Sequence, residues 1–238
     1  MNAIFEREIA LLGAENVRKL NNSRVIVFGV GGVGSYAVEA LARSGVGSIA
    51  LVDSDKVEES NINRQLIALR STLNRSKVEV SAERIRDINP DAEVRTYEVY
   101  ACEENMADFR LGSYDYVLDC IDSVASKLCL IRSAKQAGVR IISAMGAGNK
   151  LNPTMFEVAD ISKTSVCPLA KAVRTGLRKI GITSLKVVYS REQPASVVKG
   201  ENGRIIKGSI AFCPSVAGLI MAAEVIKDLT EGERDENR

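Results

Sequence analysis

The stretch VIVFGVGGVGSYAVEALARSGVGSIALVD, residues 25–53, decides the fold. It reads as a short buried strand, a glycine-rich turn, a helix with an apolar face, and a second buried strand. This order is one βαβ unit with glycines directly after its first strand. Strands and helices continue to alternate up to residue 152. The alternation predicts an α/β protein with a doubly wound, Rossmann-like, mainly parallel sheet and helices on both faces.

The glycine turn has the composition of a nucleotide-binding loop. Gly29 would permit the tight turn, Gly31 would let the backbone approach a phosphate, and Gly34 would bring the helix close to the strand. The helix N-terminus adds unpaired N–H groups and a positive dipole end, which favour an anion. Asp53 follows about 20 residues later, where its carboxylate can hold ribose hydroxyls. The alternative is a turn whose glycines serve packing alone. With strand, helix and acid all in place, we predict a nucleotide site, although the motif does not identify the nucleotide.

The composition excludes several classes of function. The chain has 238 residues and is 46% hydrophobic, which suffices for one large domain with its own core. Its net charge of +2 is too small to attract the whole protein to nucleic acid or to a membrane over a long range. It contains no histidine, so its chemistry cannot use an imidazole base or a histidine metal ligand. The five cysteines form no Cys-x-x-Cys pair, which predicts neither a zinc site nor a disulfide framework and fits a cytoplasmic protein.

The chain is expected to contain four segments. They are an N-terminal helical segment (1–22), a nucleotide-binding domain (23–152), a smaller helical and antiparallel extension that packs on the same domain (153–230), and a charged tail (231–238). Near the end, residues 209–212 read as a strand and residues 215–229 as a long apolar helix. This apolar run contains Pro214 and Glu224, so we interpret it as part of the core and not as a membrane span.

Two acidic residues lie where the fourth strand of the predicted sheet ends. Asp119 is the last residue of that strand and Asp122 follows shortly after. Ligands of doubly wound sheets bind beyond the carboxyl ends of the strands, so both should approach the glycine turn. A carboxylate at that position can hold Mg²⁺ together with phosphate oxygens. Alternatively, Asp122 caps the helix that starts after it. The local sequence leaves both interpretations open.

A second group of polar residues follows Asp53. Its members are Asn61, Arg64, Gln65 and Lys77. Cationic side chains beside a triphosphate neutralise the charge that develops when a phosphorus–oxygen bond breaks. A nicotinamide dehydrogenase has no use for such a clamp. Any one of these residues taken alone also fits a solvated loop.

The region 161–191 is basic throughout. It holds seven Lys and Arg residues and no acid. Lys171, Arg174 and Arg178 share one helical face, and Lys163 precedes them. Such a surface could follow a phosphate backbone. The residues alone favour the simpler interpretation, a solvated helix face.

Assembled in order, these motifs resemble the ubiquitin-activating superfamily of adenylating enzymes, which includes the ThiF, MoeB and HesA types. The matching pieces are GVGGVGS at 29–35, LVDSD at 51–55, SNINRQ at 60–65, KVE at 77–79, RDINP at 86–90 and LDCIDS at 118–123. The resemblance implies a ligase-type enzyme that binds ATP with Mg²⁺ and adenylates a carboxylate.

The resemblance also implies roles for single residues. Asp53 would hold the ribose, and Gly31 and Gly32 would line the phosphates. The ATP-binding residues that it implies are Gly29, Gly31, Gly32, Gly34, Asp53, Asp55, Asn61, Arg64, Gln65, Lys77, Asp119 and Asp122. Those implied in catalysis are Arg64, Lys77, Asp122 beside Mg²⁺, and Arg7, which one subunit of a homodimer would lend to the other.

Within the superfamily, the second half of the chain is most similar to the dehydratases that act on threonylcarbamoyl-adenosine in tRNA. The similar pieces are DISKT at 160–164, PLA at 168–170, VYSRE at 188–192 and GSIAFCPS at 208–215. This likeness implies that the basic residues Lys163, Lys171, Arg174 and Arg178 contact tRNA.

Three rival functions remain. An activator of a ubiquitin-like sulfur-carrier protein would use the same chemistry, but such enzymes usually carry two Cys-x-x-Cys pairs. A thioester-forming activator needs a catalytic cysteine, and no cysteine here has a recognisable context for one. A nicotinamide dehydrogenase and a non-catalytic ATP sensor are the other two rivals.

Overall fold

The computed structural model describes residues 3–199, 203 and 205–231 and has the α/β architecture that the sequence predicts. The strands are β1 (Arg24–Phe28), β2 (Ser48–Val52), β3 (Glu93–Tyr97), β4 (Tyr116–Asp119), β5 (Arg140–Ala144), β6 (Phe156–Asp160), β7 (Lys186–Ser190), β8 (Val198–Lys199) and β9 (Ile205–Ile206). The α-helices are α1 (Glu6–Leu12), α2 (Ala14–Asn21), α3 (Gly34–Arg43), α4 (Lys77–Ile88), α5 (Val124–Gln136), α6 (Pro168–Lys179) and α7 (Phe212–Glu231).

The main sheet has seven strands in the order β3-β2-β1-β4-β5-β7-β6. All neighbours pair in parallel except β6, which runs antiparallel to β7 at the edge. From β1 the chain first builds outward through β2 and β3, then crosses back to place β4 on the other side of β1. The strand order therefore reverses between β1 and β4, which is where sheets of this kind bind ligands.

Two apolar layers cover the sheet. Along β1, Val25 and Val27 contact the layer that contains α3, α4 and α7, while Ile26 and Phe28 contact the layer that contains α5 and α6. Successive side chains of a strand point to opposite faces, so a strand covered on both faces is apolar throughout.

Helix α7 packs directly against the start of α3. An added Cβ at Gly218 would lie 2.2 Å from the backbone oxygen of Val33, so the two helices touch backbone to backbone. In the first turn of α7, Pro214 contacts the glycine turn: an added Cβ at Gly32 would lie 3.2 Å from it. The C-terminal helix therefore supports the loop from which the site is built.

The C-terminal strands differ from the expectation in one respect. The smaller antiparallel part expected here is present, since β6 pairs antiparallel with β7 and β8 with β9, and β7 also joins the main sheet in parallel with β5. The strand expected at residues 209–212 is wrong. Residues 207–211 have no regular structure, and the helix already begins at Phe212. Proline is tolerated in the first turn of a helix, and Pro214 takes that position.

The N-terminal segment is helical as expected, but it is divided. Gly13, with a φ of 83°, separates α1 from α2. The charged tail expected at 231–238 lies almost entirely outside the described residues. Within the described part of the chain, none of the helices combines the length and apolar character that a membrane crossing requires.

Candidate active site

A cavity of about 850 Å³ opens at the carboxyl ends of the central strands. It is the place that the reversal of strand order predicts. The lining contains Gly29, Gly31 and Gly32 of the glycine turn together with Asp53, Asp55, Asn61, Arg64, Gln65, Lys77 and Asp122. Gly34, which was also predicted to bind ATP, does not belong to the lining. The structure therefore brings most of the residues predicted from the sequence into one site.

The glycines of the turn have different tasks. Gly29 has a φ of 86°, and an added Cβ there would lie 2.8 Å from the backbone oxygen of Cys120. An added Cβ at Gly34 would lie 1.8 Å from the backbone oxygen of Gly29. At Gly31 the nearest atom to an added Cβ is Nε2 of Gln65, at an ordinary contact distance of 3.7 Å. Gly29 and Gly34 therefore allow the turn to form, whereas Gly31 keeps its backbone open to the cavity.

This difference leads to a prediction. Gly34→Ala is expected to destabilise the protein by about 3 kcal/mol or more, because a backbone oxygen cannot rotate away from the new methyl group. In a domain of this size that loss lowers the Tm by about 6–12 °C. Gly31→Ala is the matched control, and it is expected to weaken ATP binding while the Tm stays near that of the wild type. Thermal unfolding and ATP titration measure the two effects. Equal Tm values for both variants would contradict the assignment.

Asp53 both lines the cavity and braces the turn. Its Oδ2 accepts a hydrogen bond from the backbone N–H of Val30 at 2.7 Å, and its Oδ1 accepts one from Asp55 N–H at 2.9 Å. The carboxylate keeps further lone pairs for a ligand. A ribose ligand would therefore meet an acceptor that is already oriented.

Two cations, Lys77 and Arg64, line the cavity together with the glycine turn, and they differ in their hydrogen-bond partners. Lys77 is buried, and its ammonium lies 2.7 Å from Oδ2 of Asp55. The Arg64 Nη1 atom donates to the Ser60 carbonyl at 2.8 Å and to Oδ1 of Asn63 at 2.9 Å. Neither partner of Arg64 among the described residues carries a charge. Its guanidinium therefore retains its full attraction for a phosphate.

Two amide side chains complete this side of the cavity. Oδ1 of Asn61 accepts from the backbone N–H of Glu58 at 3.2 Å, which fixes the loop that carries Arg64. Gln65 is also buried, and its Oε1 has no hydrogen-bond partner among the described residues. Because an unpaired buried oxygen is unfavourable, a donor from a bound ligand would stabilise it.

The structure excludes one of the two interpretations of Asp122. Ser123 caps helix α5, accepting a hydrogen bond from Ser126 N–H at 3.4 Å. The interpretation of Asp122 as the cap is therefore wrong. Its exposed carboxylate lines the cavity.

The prediction that Asp119 belongs to the ATP-binding residues requires a correction. It is fully buried and does not belong to the cavity lining. Its Oδ2 accepts from Lys127 Nζ at 2.9 Å and from Ser143 Oγ at 2.5 Å, while Oδ1 accepts from Ile121 N–H at 3.2 Å. These contacts leave no route from its carboxylate to ATP. Asp119 instead ties β4 to α5 and β5 beneath the site.

The remaining predicted residues lie outside the cavity. Arg7 is exposed on α1, and Lys163, Lys171 and Arg178 are also exposed. Arg174 is half-buried and has a second task. Its Nη1 donates to the carbonyls of Ile161 and Thr164 at 3.3 and 3.2 Å, and also to Oγ1 of Thr164. Arg174 therefore anchors the segment after β6 through one nitrogen, and its predicted contact with tRNA stays a prediction.

The far wall of the cavity contains residues that the sequence analysis missed. Lys150, Cys167 and Leu169 line it, together with residues 194, 195, 205 and 207–209. The segment 146–148, Gly-Ala-Gly, directly after β5 was the available signal, because it places the following residues at the carboxyl edge of the sheet.

One thiol in the cavity is unsuited to nucleophilic chemistry. Burial, with the nearby Asp119 as a smaller cause, raises the pKa of Cys120 to about 12. Since the thiolate is the reactive form, Cys120 is inert near neutral pH.

Comparison with known proteins agrees with a nucleotide site in this cavity. The chain matches the ThiF family over residues 5–238. A Bacillus subtilis protein named tRNA threonylcarbamoyladenosine dehydratase is 45% identical over 238 residues, and the alignment covers 94% of each chain. The crystal structure of the Escherichia coli tRNA N6-threonylcarbamoyladenosine dehydratase TcdA in complex with ATP superposes with a TM-score of 0.88 at 32% identity, covering 95% of this chain and 93% of that one.

A more distant relative corresponds to the alternative function, activation of a sulfur-carrier protein. The Saccharomyces cerevisiae adenylyltransferase and sulfurtransferase UBA4 is 37% identical over 210 residues. That alignment covers 88% of this chain but only 42% of the yeast protein.

Proposed function

The chain belongs to the ThiF family, and on that premise we propose that it is an ATP-dependent tRNA threonylcarbamoyladenosine dehydratase. The observation that carries the proposal is the cavity itself: a nucleotide loop on one side, an arginine without a carboxylate partner beside it, and further space toward β5 and β7. The bacterial relatives named above match nearly the whole chain and carry this activity in their names.

The first step forms an acyl-adenylate. The carboxylate of the threonyl group attacks the α-phosphorus of ATP, and pyrophosphate leaves. A carboxylic acid with a pKa of about 4 is already ionised at pH 7, so the step needs no general base. The lack of histidine is therefore no obstacle. Arg64 and Lys77 stabilise the negative charge that develops on the phosphorus oxygens and the leaving group.

The second step closes a ring. The carbamoyl group of the same side chain attacks the activated carbonyl, AMP leaves, and the nucleoside has lost one water in total. Because both groups belong to one side chain, positioning within the cavity can supply much of the rate.

We also propose that ATP binds as its Mg²⁺ complex. Asp122 is an exposed carboxylate in the cavity, and Mg²⁺ in phosphate sites is held by one or two carboxylates plus phosphate oxygens. The residues present therefore fit the ion. When bound, it would supply further neutralisation of the triphosphate charge.

The partners follow from the same family likeness. We propose that the protein is a homodimer in which the exposed Arg7 reaches the neighbouring site, and that Lys163, Lys171, Arg174 and Arg178 contact tRNA. We also place the protein in the cytoplasm. All five of its cysteines are unpaired, which suits a reducing compartment.

A single assay tests the proposed function. The protein is incubated with ATP, Mg²⁺ and tRNA that carries threonylcarbamoyl-adenosine, and both AMP and the mass of the nucleoside are measured. We expect AMP in equal amount to nucleoside that has lost one water. Unmodified tRNA is the control and should yield no AMP. AMP without loss of water would contradict the dehydration and leave only the adenylation.

The activator of a ubiquitin-like sulfur-carrier protein is the alternative function, supported by the similarity to UBA4. That enzyme class adenylates the C-terminal carboxylate of a protein. Pyrophosphate release that depends on such a carrier protein and ignores tRNA would favour it.

A further inference from the structure

The cavity extends beyond the space that ATP needs. Asp53 follows β2 and the glycine turn follows β1, so the ribose and phosphates would lie over β2, β1 and β4. Neighbouring strands are about 4.8 Å apart, which puts the end of β5 roughly 10 Å from that of β1. The acid that attacks the α-phosphorus must therefore enter from the β5 side.

The strongest feature on that side is Lys150. It follows β5, lines the cavity and is only 3% exposed. Its ammonium donates to the backbone oxygen of Glu192, the one acceptor found for it within the described chain. An ammonium group has three N–H bonds to give. Lys150, a residue of the cavity lining, thus has N–H groups without an acceptor among the described residues.

The neighbouring carboxylate of Glu192 offsets the burial of this charge only in part, because it acts without forming an ion pair. The carboxylate of Glu192 accepts hydrogen bonds from the backbone N–H groups of Leu151 and Asn152, each at 2.9 Å. No ion pair between Lys150 and a carboxylate is found among the described residues. A buried ammonium without an anionic partner is unfavourable, so this position favours a ligand that brings one.

The rest of the far wall offers no competing anion. The described acidic residues that line the cavity are Asp53, Asp55 and Asp122, and all three follow β2 or β4 on the nucleotide side. Apart from the exposed Lys207, the other lining residues of the far wall are apolar or neutral, as in Met145 and Leu169. In such surroundings a charge-assisted hydrogen bond is strong, because little water competes for it.

From this geometry we propose that Lys150 binds the carboxylate of the acid substrate, which under the proposed function is the threonyl carboxylate of the modified nucleoside. One carboxylate oxygen accepts from the Lys150 ammonium, and the other faces the α-phosphorus. Lys150 would then distinguish modified from unmodified tRNA.

The electrostatics of the site agree with this role. Burial lowers the pKa of the Lys150 amine. A carboxylate within hydrogen-bond distance favours the charged form and would offset that effect. The ligand and the lysine would therefore stabilise each other's charges.

The test compares two RNAs. One is an anticodon stem-loop with threonylcarbamoyl-adenosine, and the other is the same stem-loop with plain adenosine. The Kd of each is measured with a non-hydrolysable ATP analogue present. Lys150→Gln removes the charge but keeps a donor for the Glu192 carbonyl, whereas Lys150→Met removes both. Lys207→Gln, which changes an exposed cation at the same cavity, is the matched control.

In both Lys150 variants we expect the preference for the modified RNA to fall about 10- to 100-fold, the size of a hydrogen bond to a charged group. The Kd for the unmodified RNA and for the ATP analogue should stay within about twofold, and Lys207→Gln should change the preference far less. A purely structural role for Lys150 would lower the Tm of the Met variant and leave the preference unchanged.

The outcomes separate the two proposals. A wild-type protein that prefers the modified RNA, together with a Gln variant that keeps the full preference, would overturn the role of Lys150 alone. A wild-type protein that binds both RNAs equally would overturn the proposed substrate, and the role of Lys150 with it.

Discussion

Arg64→Ala protein is expected to form AMP about 100- to 1,000-fold more slowly than the wild type, while its Kd for ATP rises by less than tenfold. Arg64 lines the cavity beside the glycine turn, and both of its described partners are neutral oxygens. Its guanidinium can therefore move onto the phosphates without breaking an ion pair. The charge on those oxygens grows as the phosphorus–oxygen bond breaks, so the interaction is stronger in the transition state than in the ground state.

The measurement separates binding from chemistry. Single-turnover formation of AMP gives the chemical step, and titration with the non-hydrolysable ATP analogue gives the affinity. Arg70→Ala is the control, because Arg70 lies on the next part of the same loop region, is 85% exposed at its side chain, and lies outside the cavity. Losses of equal size in rate and affinity would assign Arg64 to ground-state binding only.

The second large effect concerns stability. Lys127→Met is expected to destabilise the protein by about 3–5 kcal/mol, because it leaves the carboxylate of Asp119 buried without its cation. Both side chains are completely buried, and they lie 2.9 Å apart. For a domain of this size the loss corresponds to a decrease in Tm of roughly 6–20 °C.

A double variant identifies the cause. Asp119→Asn in the Lys127→Met background removes the buried charge while an amide oxygen can still accept from Ile121 N–H. We expect this double variant to be more stable than Lys127→Met alone. Arg95→Met serves as the control, because its ion pair with Glu93 lies in solvent and its loss should leave the Tm unchanged. A double variant no more stable than the single one would show that lost packing, and not unpaired charge, causes the effect.

The nucleotide half of the site was predictable because its signals are local. The turn after β1, the acid after β2 and the strand–helix alternation each lie within a short window of sequence. Their periodicity is fixed by backbone geometry. The position of Asp53, Gly29, Gly31 and Gly32 at the cavity could therefore be predicted from sequence alone. Arg64 and Lys77 were predicted from their charge and from the resemblance of the motifs that contain them to a known family.

The errors have a common physical origin in contacts between distant parts of the chain. Asp119 was assigned to ATP because the sequence does not show that Lys127 and Ser143 reach it from another helix and strand. The contacts of Arg174 were not foreseen for the same reason, since its Nη1 donates to carbonyls of a preceding segment. Lys150 went unnoticed because a single lysine in a loop gives no periodic signal. Its burial depends on how β5 and β7 are arranged.

The backbone contact between α7 and α3 limits how this chain could be reused. A fragment that stopped at residue 152 would retain the residues predicted to bind ATP, yet the surface of Val33 and its neighbours that α7 covers would face water. The glycine loop therefore cannot be transplanted by itself. A protein that acquires it, by design or by recombination, must also acquire α7, because the loop and the start of α3 pack directly on that helix.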